Sequence, residues 1–240
     1  MIGAAVALKG VTFRYQDDAS VFDMRFDLAV PAGASVAIIG PSGAGKSSLL
    51  SLIAGFDRPA SGSILIGGVD VTAARPAQRP VSVLFQDHNL FAHLDVWTNV
   101  ALGLSPSLRF SDPQTLEIDW ALDRVGVSAL KHRLPGDISG GERQRTALAR
   151  ALVRNRPVLL LDEPFAALGP ALRKEMLGLV TQLHRESGVT ILMVTHTPED
   201  ARAVAELTAF LDAGRVVAMR PTQDLFAATD IPQLTEYLGS

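Results

Sequence analysis

The sequence predicts an α/β protein with a mostly parallel sheet at its core, an N-terminal antiparallel β subdomain and a helical subdomain inserted at roughly 87–156. Three observations predict it. Residues in the first third alternate apolar and polar, the period-2 pattern of strands with one buried face. Runs at 35–39, 158–161 and 189–195 are short and almost wholly apolar, as strands buried on both faces of a parallel sheet are. Between the first two of these runs, the stretch from Asp87 to Arg156 has a mainly helical pattern, broken by polar connectors such as Ser105-Pro106-Ser107.

Taken in order, Val11, Phe13 and Tyr15 alternate with polar neighbours, as do Phe22, Met24, Phe26 and Leu28, and Gly10, Pro31-Ala32-Gly33 and Gly67-Gly68 punctuate these strands. The strand at 35–39 feeds a glycine-rich loop, and positions 47–54 then read as a helix that stops near Gly55. Downstream of the helical middle, 158–161 is a strand and 171–187 an amphipathic helix. Leu172, Met176, Leu179, Val180 and Leu183 form its apolar stripe, and Gly188 stops it. Another buried strand covers 189–195, a helix starts near Pro198-Glu199-Asp200, and 208–220 reads as a hairpin turning at Asp212-Ala213-Gly214. No internal repeat or long linker interrupts the 240 residues, so a single domain is expected.

Composition narrows the function classes. A net charge of -3 gives no global basic field, so nucleic acid is not an expected partner. With no cysteine, structural disulfides and thiolate metal sites are excluded. The opening Met1-Ile2-Gly3-Ala4-Ala5 lacks a basic flank and a long apolar region, so no secretory signal is expected. No apolar run reaches the roughly 20 residues that span a bilayer, and a membrane role would need a membrane-embedded partner.

Gly40-Pro41-Ser42-Gly43-Ala44-Gly45-Lys46-Ser47 fits G-x-x-x-x-G-K-[ST], the Walker A P-loop, followed by Ser48. Its glycines let backbone N–H groups form an anion nest at a helix N-terminus. Lys46 suits β- and γ-phosphates, and the Ser47 hydroxyl suits Mg²⁺. Val158-Leu159-Leu160-Leu161-Asp162-Glu163-Pro164 resembles a Walker B strand: Asp162 at its carboxyl end can orient a water of the Mg²⁺ shell, and Glu163 suits a general base. Gly40, Asp162 and His196 each follow a buried strand, and ligands of open parallel sheets bind beyond such ends. Ser139-Gly140-Gly141 offers a hydroxyl and bare amides at the start of a helix at 142–154, an anion site with no lysine of its own.

These signals in this order resemble the ATP-binding cassette (ABC) family of ATPases, over nearly the whole chain. The resemblance implies a P-loop, RecA-like core that binds ATP and Mg²⁺ and pairs head to tail. In that homodimer the Ser139-Gly140-Gly141 signature reaches the ATP on the partner's P-loop. It further implies that His196 contacts the γ-phosphate, that Tyr15 stacks on adenine, and that Gln86, after the apolar 81–85, touches Mg²⁺ or the attacking water. Two positions depart from the family pattern. Glu142 stands where a glutamine is usual, and Ala166-Ala167-Leu168-Gly169 replaces Ser-Ala-Leu-Asp, so the usual aspartate is absent.

Within the family the stretch from Arg79-Pro80-Val81 to Phe91-Ala92-His93-Leu94, Leu134-Pro135-Gly136, and Pro170-Ala171-Leu172-Arg173-Lys174-Glu175-Met176-Leu177 resemble the ATPase subunits of bacterial thiamine importers. Such a subunit lies peripherally on the cytoplasmic face of the cell membrane and serves permease subunits, with a solute-binding protein as an indirect partner. The segment from Gln86 to Leu94 is expected to form a groove in which Leu90, Phe91 and Leu94, rimmed by His88, Asn89 and Asp95, receive a short permease helix. An importer for another small solute or ion remains an alternative. Less favoured is a soluble ABC ATPase acting on nucleic acid, which usually carries two cassettes or a long coiled-coil insertion. A P-loop kinase or GTPase would leave Ser139 and His196 without a role.

Overall fold

In the computed structural model, residues 2–15, 23–85 and 90–239 are described. Their strands are β1 (Val6–Phe13), β2 (Met24–Val30), β3 (Ser35–Ile39), β4 (Ser61–Ile66), β5 (Val69–Asp70), β6 (Val81–Leu84), β7 (Val158–Asp162), β8 (Thr190–Val194), β9 (Leu207–Asp212) and β10 (Arg215–Pro221). Their helices are α1 (Lys46–Ala54), α2 (Val96–Leu104), α3 (Asp112–Arg124), α4 (Gly140–Leu152), α5 (Pro170–Ser187), α6 (Pro198–Val204), α7 (Thr222–Phe226) and α8 (Pro232–Leu238). Among the described residues the strands join one sheet in the order β5-β4-β1-β2-β10-β9-β3-β8-β7-β6. From β9 to β6 the pairing is parallel, whereas β1, β2, β4 and β5 pair antiparallel.

The strand pattern follows from what each face meets. In β7, Val158 and Leu160 turn to a core shared with α1, and Leu159 and Leu161 turn to a core shared with α4 and α5. In β3, Val36 and Ile38 join the first core, while Ala37 and Ile39 join a third with Phe210, Leu225 and Leu234. Period-2 alternation with two apolar faces leaves no position for a polar residue, hence the continuous runs. Each such Leu or Ile contributes about 1.5–3 kcal/mol by burial.

Gly10, expected to punctuate, instead lies inside β1. Its φ of 56° is left-handed, and the register with β2 shifts between Leu8 and Val11. That is a β-bulge, tolerated because glycine has no Cβ to clash, and the displaced Gly10 amide donates to Asp27 Oδ1 at 2.6 Å.

Helix ends match the breakers in the sequence. Gly55 and Gly188 take left-handed φ of 85° and 66° and close α1 and α5. The carbonyls at the end of α1 also receive a buried cation. Arg79 is 1% exposed, and its Nη1 donates to the Leu52 and Ile53 carbonyls at 2.6 and 2.9 Å. Its other donors reach the Thr72 and Ala74 carbonyls. A guanidinium at a helix C-terminus opposes the macrodipole's negative end, so Arg79 fixes α1 from below while its N-terminus faces the site.

Candidate functional site

Strand order places β3 between β9 and β8, with β7 next to β8. The ends of β3, β8 and β7 therefore lie side by side, and Gly40, His196 and Asp162–Glu163 issue from them. Gly40 cannot be any other residue. Its φ is 150°, and a Cβ there would sit 2.0 Å from the Leu211 carbonyl oxygen. Gly43 and Gly45 are also left-handed, at 78° and 95°. Gly45 precedes α1 with no side-chain cap, so the first amides of that helix are open to an anion.

Lys46 folds back over this loop, its Nζ donating to the Gly40 and Pro41 carbonyls at 2.8 Å each. Burial pulls its ammonium below the ordinary lysine value, against the pull of Glu163 and Asp162. Ser47 Oγ donates to Asp162 Oδ1 at 3.1 Å. Burial pushes the Asp162 carboxyl above its ordinary value, opposed by the Ser47 hydrogen bond and reinforced by Glu163. Both shifts express one fact: the site concentrates charge in a partly dry place. The hydroxyl and carboxylate are hard oxygen donors brought together from two elements. Among the described residues no cluster of three His, Cys, Asp or Glu side chains could hold a metal. A cation here would complete its shell with phosphate oxygens and water, as Mg²⁺ characteristically does.

A cavity of about 300 Å³ opens over the loop, lined by Tyr15, Met24, Ser42, Gly43, Gly45, Lys46, Ser47, Ser48 and Glu163. Tyr15 is 41% exposed, packs edge-on against Phe13 at 4.7 Å, and shares a 3.1 Å hydrogen bond between its hydroxyl and that of Ser48. A larger cavity of about 740 Å³ lies between α5 and α6, but no P-loop residue lines it.

Glu163 has a φ of 43°, a left-handed conformation that costs a non-glycine residue about 1–2 kcal/mol. It persists because several contacts hold it. Its N–H donates to the Val194 carbonyl at 3.1 Å, its own carbonyl accepts from Ala166, and its Oε2 lies 3.2 Å from His196 Nδ1. His196 is fixed in turn. Thr195 Oγ1 donates to Asp200 Oδ2 at 3.0 Å, and Arg173 grips Asp200 with Nε and Nη2 while Nη2 also reaches Thr197 Oγ1 at 2.7 Å. From the far end of the chain, Tyr237 Oη donates to the His196 carbonyl at 3.3 Å. Burial pushes that phenol up, against a hydrogen bond from the Gly40 backbone.

Ser139, Gly140 and Gly141 lie elsewhere, at the start of α4, and none of them lines the cavity over the P-loop. Ser139 and Glu142 form a reciprocal capping box: Ser139 N–H donates to Glu142 Oε2 at 2.6 Å, and Glu142 N–H to Ser139 Oγ at 3.3 Å. The Ser139 amide, and after it the Ser139 hydroxyl, hold the Glu142 carboxyl below its ordinary value. Gly141 is required by packing, since a Cβ would lie 2.6 Å from Leu172 Cδ2 of α5. At Gly169 a Cβ would meet nothing within 4 Å, so that departure is not forced by space.

Gln86, and the rim positions His88 and Asn89, lie outside the described residues. Of the expected groove residues, Phe91 lines a cavity of about 430 Å³ with Phe56, Phe85, Val83 and Leu102. Leu90 packs into the helical core instead, and Leu94 does not line the cavity. Apolarity alone cannot tell a cavity wall from a core residue, so the sequence did not single out Phe56 and Phe85 beside Phe91. Asn99 was also missed. Fully buried, it accepts from Phe91 N–H and donates to the Phe91, Leu94 and Asp95 carbonyls, moulding the turn that presents Phe91.

Comparison with known proteins agrees with this geometry. A family model described as ABC transporter matches residues 24–166. The chain is 54% identical, over 99% of its length and 92% of the relative's, to the thiamine import ATP-binding protein ThiQ of Mesorhizobium japonicum. It is 50% identical to that of Rhizobium meliloti over 100% of this chain and 99% of the relative. Among solved structures, a dimeric ATP-binding cassette in a post-hydrolysis state with ADP and Pi superposes with a TM-score of 0.78 at 29% identity, covering 90% of this chain and 98% of that one. A nucleotide-free cassette from an ABC transporter shares the fold with a TM-score of 0.85 at 21% identity, covering 98% of each chain.

Proposed function

The chain belongs to the ABC transporter family, and from that footing we propose that it is the ATP-hydrolysing subunit of a membrane importer for thiamine or its phosphate esters. The observation that carries the substrate is its identity of about half, end to end, with relatives named for thiamine import. The relatives' name carries the direction of transport as well.

In this reading the loop from Gly40 to Ser48 cradles the ATP phosphates on backbone amides, with Lys46 turning from the Gly40 and Pro41 carbonyls to the β- and γ-phosphates. Tyr15 supplies the face for adenine, its edge tethered to Ser48. Ser47 and Asp162, with Gln86, hold Mg²⁺, which neutralises phosphate charge when bound. Glu163 accepts the proton of the attacking water, and His196, beside it, contacts the γ-phosphate. The absence of Ser139, Gly140 and Gly141 from the lining of their own P-loop cavity favours a head-to-tail homodimer in which they complete the partner's site.

Coupling to transport requires a permease. Among the described residues no helix is long and apolar enough to cross a membrane. The cavity bearing Phe56, Phe85 and Phe91 offers an apolar wall for a short permease helix; in this reading the subunit lies peripherally on the cytoplasmic face, with a solute-binding protein upstream. The experiment is uptake of labelled thiamine in cells that lack this chain and any other thiamine route. Wild type is expected to restore uptake and Glu163→Gln to fail. Uptake that never depended on the chain would sink the thiamine assignment and leave the ATPase chemistry standing.

A further inference from the structure

The loop that carries Glu163 has few handles. From Pro164 to Gly169 it reads Pro-Phe-Ala-Ala-Leu-Gly, without a polar side chain; Phe165 and Leu168 pack it against the helical core, and a directional hydrogen bond can reach it only through its backbone. Pro164 has no N–H, which leaves its carbonyl. Gln144, one turn into α4, takes that carbonyl: its Nε2 donates to Pro164 O. The side chain is fully buried, and among the described residues its Oε1 has no hydrogen-bond partner. A buried amide with half its capacity unused is a standing cost, borne here for one donor contact.

That contact sits at a critical joint. Glu163 precedes a proline and holds a left-handed backbone, so its peptide geometry must be imposed from outside. On one side its N–H is tied to β8. On the other, the next residue is tied to α4. Gly141 presses the start of the same helix against Leu172 of α5, so α4 cannot slide without dragging either Pro164 or the first turn of α5. The N-terminus of α4 is the Ser139–Glu142 capping box.

We propose that Gln144 is a positioning residue that couples the α4 N-terminus to the hydrolytic base: an anion docking at Ser139 moves α4, and the Gln144–Pro164 hydrogen bond sets Glu163 for the water on the chain's own P-loop. This rests on the reading of Glu163 as the base and of the α4 N-terminus as the site for the partner's ATP. Each chain then links the two nucleotide sites of the dimer through one side chain.

The test is steady-state ATP hydrolysis by the purified full chain as wild type, Gln144→Leu, Gln144→Glu and Glu163→Gln. Gln144→Leu keeps the volume and removes the donor. Its kcat is expected to fall about 10- to 100-fold with KM for ATP within about 2-fold and no loss of thermal midpoint. A packing role alone would lower the midpoint and leave kcat of the folded protein intact. Gln144→Glu is shaped like the native residue but donates only when protonated, so its kcat relative to wild type should recover as pH falls. Wild-type kcat in Gln144→Leu beside an inactive Glu163→Gln overturns the coupling and spares the base. A Glu163→Gln chain that turns over normally overturns the base, and the coupling with it.

Discussion

Two helix N-termini in this molecule are the ones the proposed function assigns to phosphate, and they are built in opposite ways. At α1 the preceding residue is a left-handed glycine, no side chain caps the amides, and a buried lysine stands beside them. At α4 a capping box is already in place: Ser139 caps Glu142, and the Glu142 carboxylate occupies the Ser139 amide. The first terminus is an uncapped nest with its own cation, able to grip phosphate alone. The second carries its own carboxylate, so an incoming phosphate exchanges one anion for another and gains little. A strong site paired with a weak one suits a dimer that must close on ATP and open again after hydrolysis.

The largest expected effect breaks the strong terminus. Lys46→Ala removes the one cation that lines the cavity among the described residues, the charge that the proposed function sets against the γ-phosphate. Hydrolysis should fall by at least about 100-fold, the scale of losing a preorganised charge contact. Because burial already depresses the Lys46 ammonium, removing it should not lower the thermal midpoint without nucleotide. A midpoint measured with and without ATP separates the two: the variant should lose the ATP-dependent rise. A retained rise with full kcat would mean that the phosphates lie elsewhere.

Ser139→Ala strikes the weak terminus and should cost less. Loss of the N-cap is worth about 1 kcal/mol of stability, since Ser139 Oγ accepts from the Glu142 amide. One-chain ATP affinity should be unchanged, because Ser139 does not line the P-loop cavity. ATP-driven dimerisation and kcat should both fall, read by sedimentation and by turnover. Equal losses in monomer affinity would place Ser139 at its own P-loop and collapse the distinction between the two termini.

This contrast also shows what the sequence could and could not display. The P-loop, the strands that end at Gly40, Asp162 and His196, and the hairpin at Ala213-Gly214 were legible because each is local: a glycine count, a short apolar run, a breaker. The residues that hold them in place were not. Gln144, Arg79, Asp200 and Tyr237 act on Pro164, α1, Arg173 and His196 across the fold. A buried Arg79 looks in sequence like any surface arginine, because its partners are backbone carbonyls that no pattern announces. Gly10 misled for a related reason: one glycine can end a strand or bulge it, and only the register with β2 decides. The pairing of Ser139 with Glu142, at the spacing of a capping box, was in the sequence all along.

Glu142 gives the smallest effect and the sharpest one, because it isolates the carboxylate that makes the two termini differ. Its carboxyl is held below the ordinary glutamate value by the Ser139 amide and hydroxyl. A depressed folded pKa adds stability that is present above the unfolded value, about 4.3, and lost as pH falls through the folded one. Glu142→Gln should therefore melt slightly below wild type at pH 7, and the gap should close as pH falls below about 4. Its signature on ATP should run the other way. With no carboxylate to displace, phosphate docking at α4 becomes easier, so ATP-driven dimers should form at lower chain concentration and open more slowly. Dimers that form no more readily than wild type would show that Glu142 merely caps its helix, and that the weakness of the second terminus comes from its lack of a lysine alone.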